Sequence, residues 1–273
     1  ISYLGELVSV YGKNGISQAF KWEEAIPRFS HCKKSLIKSR LFQQVYLELV
    51  RRICAYYLRG RNCNILKTDL WNEGVEYDRD ILTEASKIRI KKRRVAMDIS
   101  PKICALEKKR FNNGVEIVCA SVTNPPFKNK SFDFVLDIST IDHLPTEKTN
   151  LVIKRYRSVL KDWGALLLIF DSGLNFAMEM YHRFYLRKIY PEWTLVPSRM
   201  RGLLQILGFE ILEEYSSYLV GLMGGTHSRL PIIGRFLDTK IGIIRSLIRK
   251  IELSKWSKHL CFIAPQYAII AKK

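Results

Sequence analysis

The stretch VEIVCASVTNPPFKNKSFDFVLDISTIDHLP spans residues 115–145 and contains the pattern that decides the fold. Its first apolar run, Val115–Ala120, is short and β-branched, and the second, Phe132–Ser139, is also typical of a strand. Turn-forming residues separate the two runs. Asp137 lies near the end of the second run, where an acid is costly to bury unless something pairs with it. Because ligands bind beyond the carboxyl ends of strands in open α/β sheets, Asp137 and the loop Ser139–His143 are the first candidates for chemistry.

The residues around this stretch resemble those of the class I S-adenosylmethionine (SAM) dependent methyltransferases. The motifs that show the similarity are Pro125-Pro126-Phe127, then Ser131–Leu136 with a polar loop and a late histidine, and then Tyr156–Gly164. The last segment, YRSVLKDWG, is similar to the family's RVLKPGG turn from helix to strand. The similarity covers roughly residues 60 to 172 and implies that SAM is the cofactor.

The alternation of strand and helix patterns predicts an α/β fold, a doubly wound, mostly parallel seven-stranded sheet with helices on both faces. Further strands are expected at Asn64–Thr68, Arg94–Ile99, Ala165–Phe170, Gly208–Tyr215 and Tyr267–Ala271. Helices are expected at residues 35–58, 78–88, 147–160, 174–190 and 199–207, and from Pro101 onward. We expect residues 1–60 to form a helical extension or cap, and residues 61–273 a methyltransferase-like domain with an insertion at about 216–264.

The resemblance implies that SAM binds where the strands end. Asp98 closes the second strand, where an acid accepts hydrogen bonds from the ribose hydroxyls of a nucleotide, and Ile99 is included in this part of the site. The alternative for Asp98 is that it only caps the helix that Ser100-Pro101 begins. Further along the chain, the resemblance implies cofactor-binding roles for Ser121, Val122, Asp137 and Ser139. Ser121 replaces an acid that often accepts from the adenine amino group in the family, and the Val122 amide would serve the ring nitrogen.

The turn after the first strand departs from the family pattern. A glycine-rich turn in the family brings the backbone close to the methionine part of SAM, whereas this chain has KTDLWNEG at residues 67–74. Thr68, Asp69, Glu73 and Gly74 are the binding residues expected here, and Asp69 or Glu73 would bind the cationic amino group of SAM. The alternative is a simple strand-to-helix turn in which Asp69 or Asn72 caps the next helix.

The chemistry implied by the resemblance is in-line displacement at the sulfonium methyl, which needs positioning, a dry pocket and in some cases a general base. Asp142 and His143, in the loop after the fourth strand, are the expected catalytic residues, with Asp171 and His182 behind them. The alternative for His182 is a packing or surface role. The cysteines show no metal-ligand spacing, and no metal is predicted.

The formal net charge of +19 predicts attraction to something anionic, such as a membrane surface, nucleic acid or a phosphorylated substrate. Residues 238–256 have the pattern of a basic amphipathic helix, which suits an anionic membrane surface or a lipid-linked substrate; the alternative is a cap helix that faces the core. The cysteines show no close pairs, so buried free thiols and a reducing compartment are expected. We therefore expect a cytoplasmic protein, either free or peripheral at the membrane.

These observations favour SAM-dependent methyl transfer to a small acceptor of a lipid-linked or glycan type. The competing hypothesis is a non-catalytic methyltransferase-like module that binds a membrane or a protein complex, which the glycine-poor first turn favours. RNA methylation is a weaker alternative, because charge supports it but no nucleic-acid motif is visible. A nicotinamide-dependent dehydrogenase is disfavoured because the G-x-G-x-x-G fingerprint is absent.

Overall fold

The computed structural model describes residues 48–52, 63–70, 82, 93–110, 114–184, 193–217, 247 and 250–273, and its centre is a seven-stranded sheet. The strands are β1 (Asn64–Lys67), β2 (Arg93–Asp98), β3 (Val115–Cys119), β4 (Phe132–Ile138), β5 (Leu160–Asp171), β6 (Glu210–Ser217) and β7 (Gln266–Lys272). They lie in the order β3-β2-β1-β4-β5-β7-β6. Only β7 runs antiparallel to its neighbours, β5 and β6. This confirms the predicted doubly wound, mostly parallel sheet.

Four α-helices have described bounds, and local sequence explains where they begin and end. They are α1 (Pro101–Arg110), α2 (Thr146–Val159), α3 (Phe176–Phe184) and α4 (Pro197–Ile206), with short 3₁₀ helices at Ile141–His143 and Ser257–Leu260. At the start of α1, the Ser100 hydroxyl accepts from the Ile103 amide at 3.3 Å, which confirms the predicted start. Helix α4 begins with a proline and ends before Gly208, whose φ of +79° suits a residue without a Cβ.

The first four strands each end one residue earlier than expected. Thr68, Ile99, Ala120 and Ser139 therefore lie just beyond the sheet rather than inside it. The expectation for the fifth strand was too short, since β5 begins at Leu160 and that residue pairs with Phe132. A register shift follows in β4, between Phe132 and Phe134. The insertion also begins later than expected, because residue 216 is still within β6 and the connection to β7 spans residues 218–265.

Alternate side chains along the strands pack into two separate hydrophobic cores, one on each face of the sheet. In β5, Leu167 and Ile169 belong to one buried cluster, whereas Leu166 and Leu168 belong to the other. Helix α2 covers the second face with buried residues at helical spacing, namely Thr149, Val152, Ile153, Tyr156 and Val159. The apolar strands are thus buried on both faces, as parallel strands are.

Only parts of the other expected elements lie within the described residues. Residues 48–52 are helical, and Leu49 and Val50 are buried in the same cluster as the first face of the sheet. The Arg52 guanidinium donates to the Tyr215 hydroxyl at 2.9 Å. The rest of the expected cap (1–60), most of the helix at 78–88 and most of the basic helix at 238–256 lie outside the described residues. Four cysteines are described, and all four are free thiols: Cys63, Cys104, Cys119 and Cys261.

Candidate cofactor and active site

The carboxyl ends of β1, β2, β4 and β5 meet at one edge of the sheet, and hydrogen bonds join them. The Leu70 amide donates to Asp98 Oδ2 at 3.0 Å, linking the segment after β1 to the end of β2. The Thr68 and Thr140 hydroxyls lie 3.1 Å apart, linking β1 to the loop after β4. The Asp171 amide donates to Asp142 Oδ2 at 3.0 Å, linking that loop to β5. The predicted site residues within the described segments therefore lie along a single edge, where ligands bind in such sheets.

Asp98 is a buried acid at the end of β2 whose carboxylate already accepts two backbone hydrogen bonds. The Ser100 amide donates to Oδ1 at 2.7 Å and the Leu70 amide to Oδ2. Burial and the nearby charge of Asp69 raise the pKa of Asp98 to about 7, although the two amides act to lower it. The capping interaction is thus present. Each carboxylate oxygen retains a lone pair, which leaves capacity for ribose hydroxyls.

A buried lysine accompanies the acids at the end of β1. Lys67 is fully buried, and its ammonium donates to the backbone carbonyl of Asp69 and lies 3.7 Å from Asp69 Oδ2. The charge of Asp69 raises the pKa of both Asp98 and Asp137, so Asp69 lies near both of them. The ion pair offsets part of the negative charge that three neighbouring acids would otherwise concentrate.

The residues expected near the adenine lie just after β3. Ser121 and Val122 are buried, and the Ser121 hydroxyl lies 2.8 Å from the Thr123 hydroxyl. The Ala120 amide donates to the Asp98 carbonyl at 2.9 Å, which keeps the end of β3 against the end of β2. Ile99 is half-buried between these ends. The placement agrees with the expected order along the edge, and the binding roles of these residues stay predictions.

Asp137 is fully buried and holds the loop that follows β4. Its Oδ1 accepts from the Thr140 and Ile141 amides at 3.0 and 3.3 Å, and its Oδ2 accepts from the Tyr156 hydroxyl at 2.7 Å. Burial raises the pKa of Asp137 to about 6, although these three donors act to lower it. The geometry therefore gives Asp137 a positioning role, and a direct contact with the cofactor stays a prediction.

The loop after β4 places Ser139, Asp142 and His143 in different environments. Ser139 has a φ of +54°, unusual for a serine, and is held by a hydrogen bond from its amide to the Ile169 carbonyl at 2.8 Å. Asp142 is fully buried, and its Oδ2 accepts from the Asp171 amide. His143 is half-buried, with its Nδ1 atom buried, so of the two expected catalytic residues it has the more accessible side chain.

Asp171, at the end of β5, is tied to the start of β7. The Gln266 side-chain amide donates to Asp171 Oδ1 at 2.9 Å and to the Ser139 hydroxyl at 3.3 Å. Glu73 and Gly74 lie outside the described residues, as does the side chain of His182. In the described segments, no three histidine, cysteine, aspartate or glutamate residues are arranged to hold a metal ion.

Three residues that hold this edge together were not predicted from the sequence, namely Lys67, Tyr156 and Gln266. Lys67 and Tyr156 sit in patterns that favour ordinary strand and helix positions. Only their burial and their partners far along the chain reveal their roles. A charged residue within the apolar strand pattern at Lys67 is the one signal that points to a buried partner.

Comparisons with known proteins agree with this architecture. Residues 80–168 match a family model described as a methyltransferase domain. No curated protein matches the chain. A SAM-dependent methyltransferase from Mesorhizobium loti is 11% identical with a TM-score of 0.52, and the alignment covers 83% of this chain and all 100% of that one.

Two further structures show the same fold. The 1,6-didemethyltoxoflavin-N1-methyltransferase of Burkholderia thailandensis, solved with S-adenosylhomocysteine, is 13% identical with a TM-score of 0.50, and the alignment covers 83% of this chain and 77% of that one. The [4+2]-cyclase SpnF is also 13% identical with a TM-score of 0.50, over 85% and 82% of the two chains. At these identities the structures show the fold alone. SpnF is named as a cyclase rather than as a methyltransferase, so this fold does not by itself identify the reaction.

Residues 80–168 thus match a methyltransferase domain, and the seven-stranded sheet agrees with the fold of the class I SAM-dependent methyltransferases, whose cofactor is SAM. The described residues fit that cofactor. Asp98 offers acceptors for ribose hydroxyls, and the acids Asp69 and Asp98 suit a molecule that carries a sulfonium and an ammonium. The matched residues begin at 80, after the glycine-poor turn.

Proposed function

We propose that the chain methylates a small acceptor of a lipid-linked or glycan type, bound at the carboxyl edge of the sheet. The observation that supports this proposal is the contrast between the local charge of the cofactor edge and the net charge of the whole chain. Asp69 and Asp98 make the cofactor edge locally acidic, whereas the whole chain has a net charge of +19. An acidic edge suits the cationic cofactor, and the cationic remainder suits an acceptor with a phosphate or another anionic group.

The residues at this edge of the sheet have different roles in the proposed reaction. SAM supplies an electrophilic methyl group when it is bound. Asp98 accepts from the ribose hydroxyls, and Asp137 fixes the loop that carries His143 through the Thr140 and Ile141 amides. His143 is the better proton acceptor for the acceptor nucleophile, because it is half-buried whereas Asp142 is fully buried and one of its oxygens accepts from the Asp171 amide.

Calorimetry and a labelling experiment test the proposal in sequence. Titration with SAM should give saturable binding, and incubation with methyl-labelled SAM and a cell extract should move the label into a small-molecule fraction. Label in the organic phase indicates a lipid-linked acceptor, and label in the aqueous small-molecule phase a glycan type. Label in RNA would contradict the proposed acceptor, and the absence of SAM binding at millimolar concentration would contradict the enzyme itself.

A pair of variants serves as the control for this experiment. Asp98→Ala removes the expected ribose acceptor and should abolish both binding and labelling. Asp162→Asn removes an exposed acid that lies far from the edge and pairs with Lys130 at 2.8 Å, so it should leave both unchanged. Equal behaviour of the two variants would show that Asp98 has no role in binding.

A further inference from the structure

We propose that the segment before β7, together with the start of α3, forms a surface that contacts an anionic lipid bilayer beside the active-site edge. We call it the rim surface and define it by the exposed apolar residues Phe176, Ile251, Trp256, Phe262 and Ile263 and the exposed lysines Lys250, Lys255 and Lys258. The inference rests on the proposed function, since an acceptor held in a bilayer must reach the site from a face that touches the bilayer.

The apolar residues of the rim surface are unusually exposed for their size. Trp256 is 79% exposed, Phe176 75%, Phe262 67% and Ile263 56%. Single exposed apolar side chains are ordinary, but several large ones in a short segment mark an interaction surface. Aromatic side chains, tryptophan above all, suit the boundary between lipid headgroups and acyl chains.

Hydrogen bonds attach this segment to the carboxyl edge of the sheet. The Ser257 hydroxyl accepts from the Ser216 amide at the end of β6, at 3.2 Å. The Ser172 hydroxyl, just after β5, donates to the Cys261 carbonyl at 3.2 Å. The Asn175 side-chain amide donates to the Ile263 carbonyl at 2.5 Å, which ties the residue before α3 to this segment. The rim surface thus lies next to Asp171 and the loop after β4.

The charges of the rim surface favour an anionic bilayer over a second copy of the chain as its partner. Over residues 250–265, Lys250, Lys255 and Lys258 are exposed, whereas the only acid, Glu252, is buried. A second copy of the chain would bring the same cations into contact and would be repelled. An anionic bilayer offers both a complementary charge and an apolar layer for the aromatic side chains. No helix within the described residues is long and apolar enough to cross a membrane.

Vesicle co-sedimentation tests the rim surface with a matched control at the opposite edge. The full chain is mixed with phosphatidylcholine vesicles with and without phosphatidylserine. Trp256→Ser with Phe262→Ser should weaken binding to the anionic vesicles roughly tenfold or more, and Lys255→Gln with Lys258→Gln should remove most of the anionic preference. The control pair, Ile206→Ser with Lys154→Gln, removes one exposed apolar residue and one exposed lysine from the opposite edge and should bind as the unmodified chain does. Its matched rim variant is Trp256→Ser with Lys255→Gln, which should lose binding to the anionic vesicles.

Two results would overturn the rim surface. One is equal binding of the unmodified chain to anionic and neutral vesicles, which would leave a protein partner or a second copy as the occupant. The other is equal loss in the rim and control variants, which would indicate attraction by net charge alone. SAM calorimetry on the unmodified chain keeps the two proposals separate, and the rim variants should retain SAM binding. In the unmodified chain, SAM binding without vesicle binding overturns only the rim surface, and vesicle binding without SAM binding overturns only the methyltransferase function.

Discussion

Asp98 and Asp137 are both buried acids at strand ends, yet their surroundings give them different tasks. Within the part of the chain that the structure describes, Asp98 accepts two backbone amides, whereas Asp137 accepts two amides and the Tyr156 hydroxyl. Burial raises the pKa of Asp98 to about 7 and that of Asp137 to about 6. Asp98 is therefore the acid whose ionisation near neutral pH bears on binding.

SAM affinity should rise with pH through the pKa of Asp98. The ionised carboxylate accepts from the ribose hydroxyls and attracts the cationic cofactor, and the fraction ionised grows from about a tenth at pH 6 to about nine-tenths at pH 8. We expect close to a tenfold rise in affinity between these values, measured by calorimetry. Asp98→Asn should bind more weakly and lack this rise.

Comparison with the affinity profile of Asp98→Asn also removes any contribution from the titration of SAM itself.

The stability of the free protein should depend on pH in the opposite direction to the SAM affinity. Since the folded-state pKa of Asp98 lies above its ordinary value of 3.8, the stability associated with this group is present below about pH 4 and is lost as the pH rises through 7. A wild-type affinity profile parallel to that of Asp98→Asn would contradict the assigned role.

At the level of the elements, helix α2 and strand β4 fix the active-site loop between them. The Tyr156 hydroxyl reaches from α2 to Asp137, and Asp137 in turn holds the first amides of the loop. This arrangement makes α2 a support for the loop as well as a cover for the second core.

Tyr156→Phe should destabilise the fold by about 1–3 kcal/mol, because a buried carboxylate oxygen loses its donor. Losing that donor also raises the pKa of Asp137 further above its ordinary value. The destabilisation should therefore be larger at pH 8, where Asp137 is ionised, than at pH 5. Urea unfolding at both values measures this difference.

Tyr267→Phe is the control for this helix–strand contact. Its hydroxyl donates to Glu214 Oε1 at 3.2 Å, and Arg201 still binds Glu214 in the variant. We expect a smaller loss at both pH values. If the loss in Tyr156→Phe were the same at pH 5 and pH 8, the contact with Asp137 would not be what the hydroxyl contributes.

The stability should change in opposite directions when alanine replaces Gly202, inside α4, and Gly208, just after it. Gly208 follows the helix with a φ of +79°, and a Cβ there would lie 3.1 Å from Arg157 Nη2, so Gly208→Ala should destabilise by about 1–2 kcal/mol. Gly202 lies inside the helix with no neighbour near an added Cβ, so Gly202→Ala should stabilise by roughly 0.5–1 kcal/mol. Thermal unfolding of both variants tests this, and the same sign for both would contradict the helix boundary.

At the level of the whole molecule, the sequence predicted the sheet and much of the placement of the site. The periodicity and composition of the sequence predict strands such as β4 and β5. Asp98 could likewise be placed at the end of β2 without any knowledge of contacts. The partners of the buried charges were not predictable, because Lys161 with Asp133 and Tyr156 with Asp137 join residues 28 and 19 positions apart. The start of β5 was also missed, since it depends on pairing with Phe132 across a register shift.

The net charge of +19 should make the stability of the whole chain depend on salt. Mutual repulsion opposes the compact state, and added salt screens it, so the melting temperature should rise as NaCl is raised from low to moderate concentration, by roughly 2–4 °C for each kcal/mol gained. Replacing the exposed Lys102, Lys108 and Lys109 of α1 with glutamine lowers the charge and should flatten the rise. Sucrose in place of salt separates screening from solute exclusion, because it stabilises without screening and should act equally on both proteins. An equal response to salt in both proteins would show that the surface charges of α1 are already balanced by neighbouring acids.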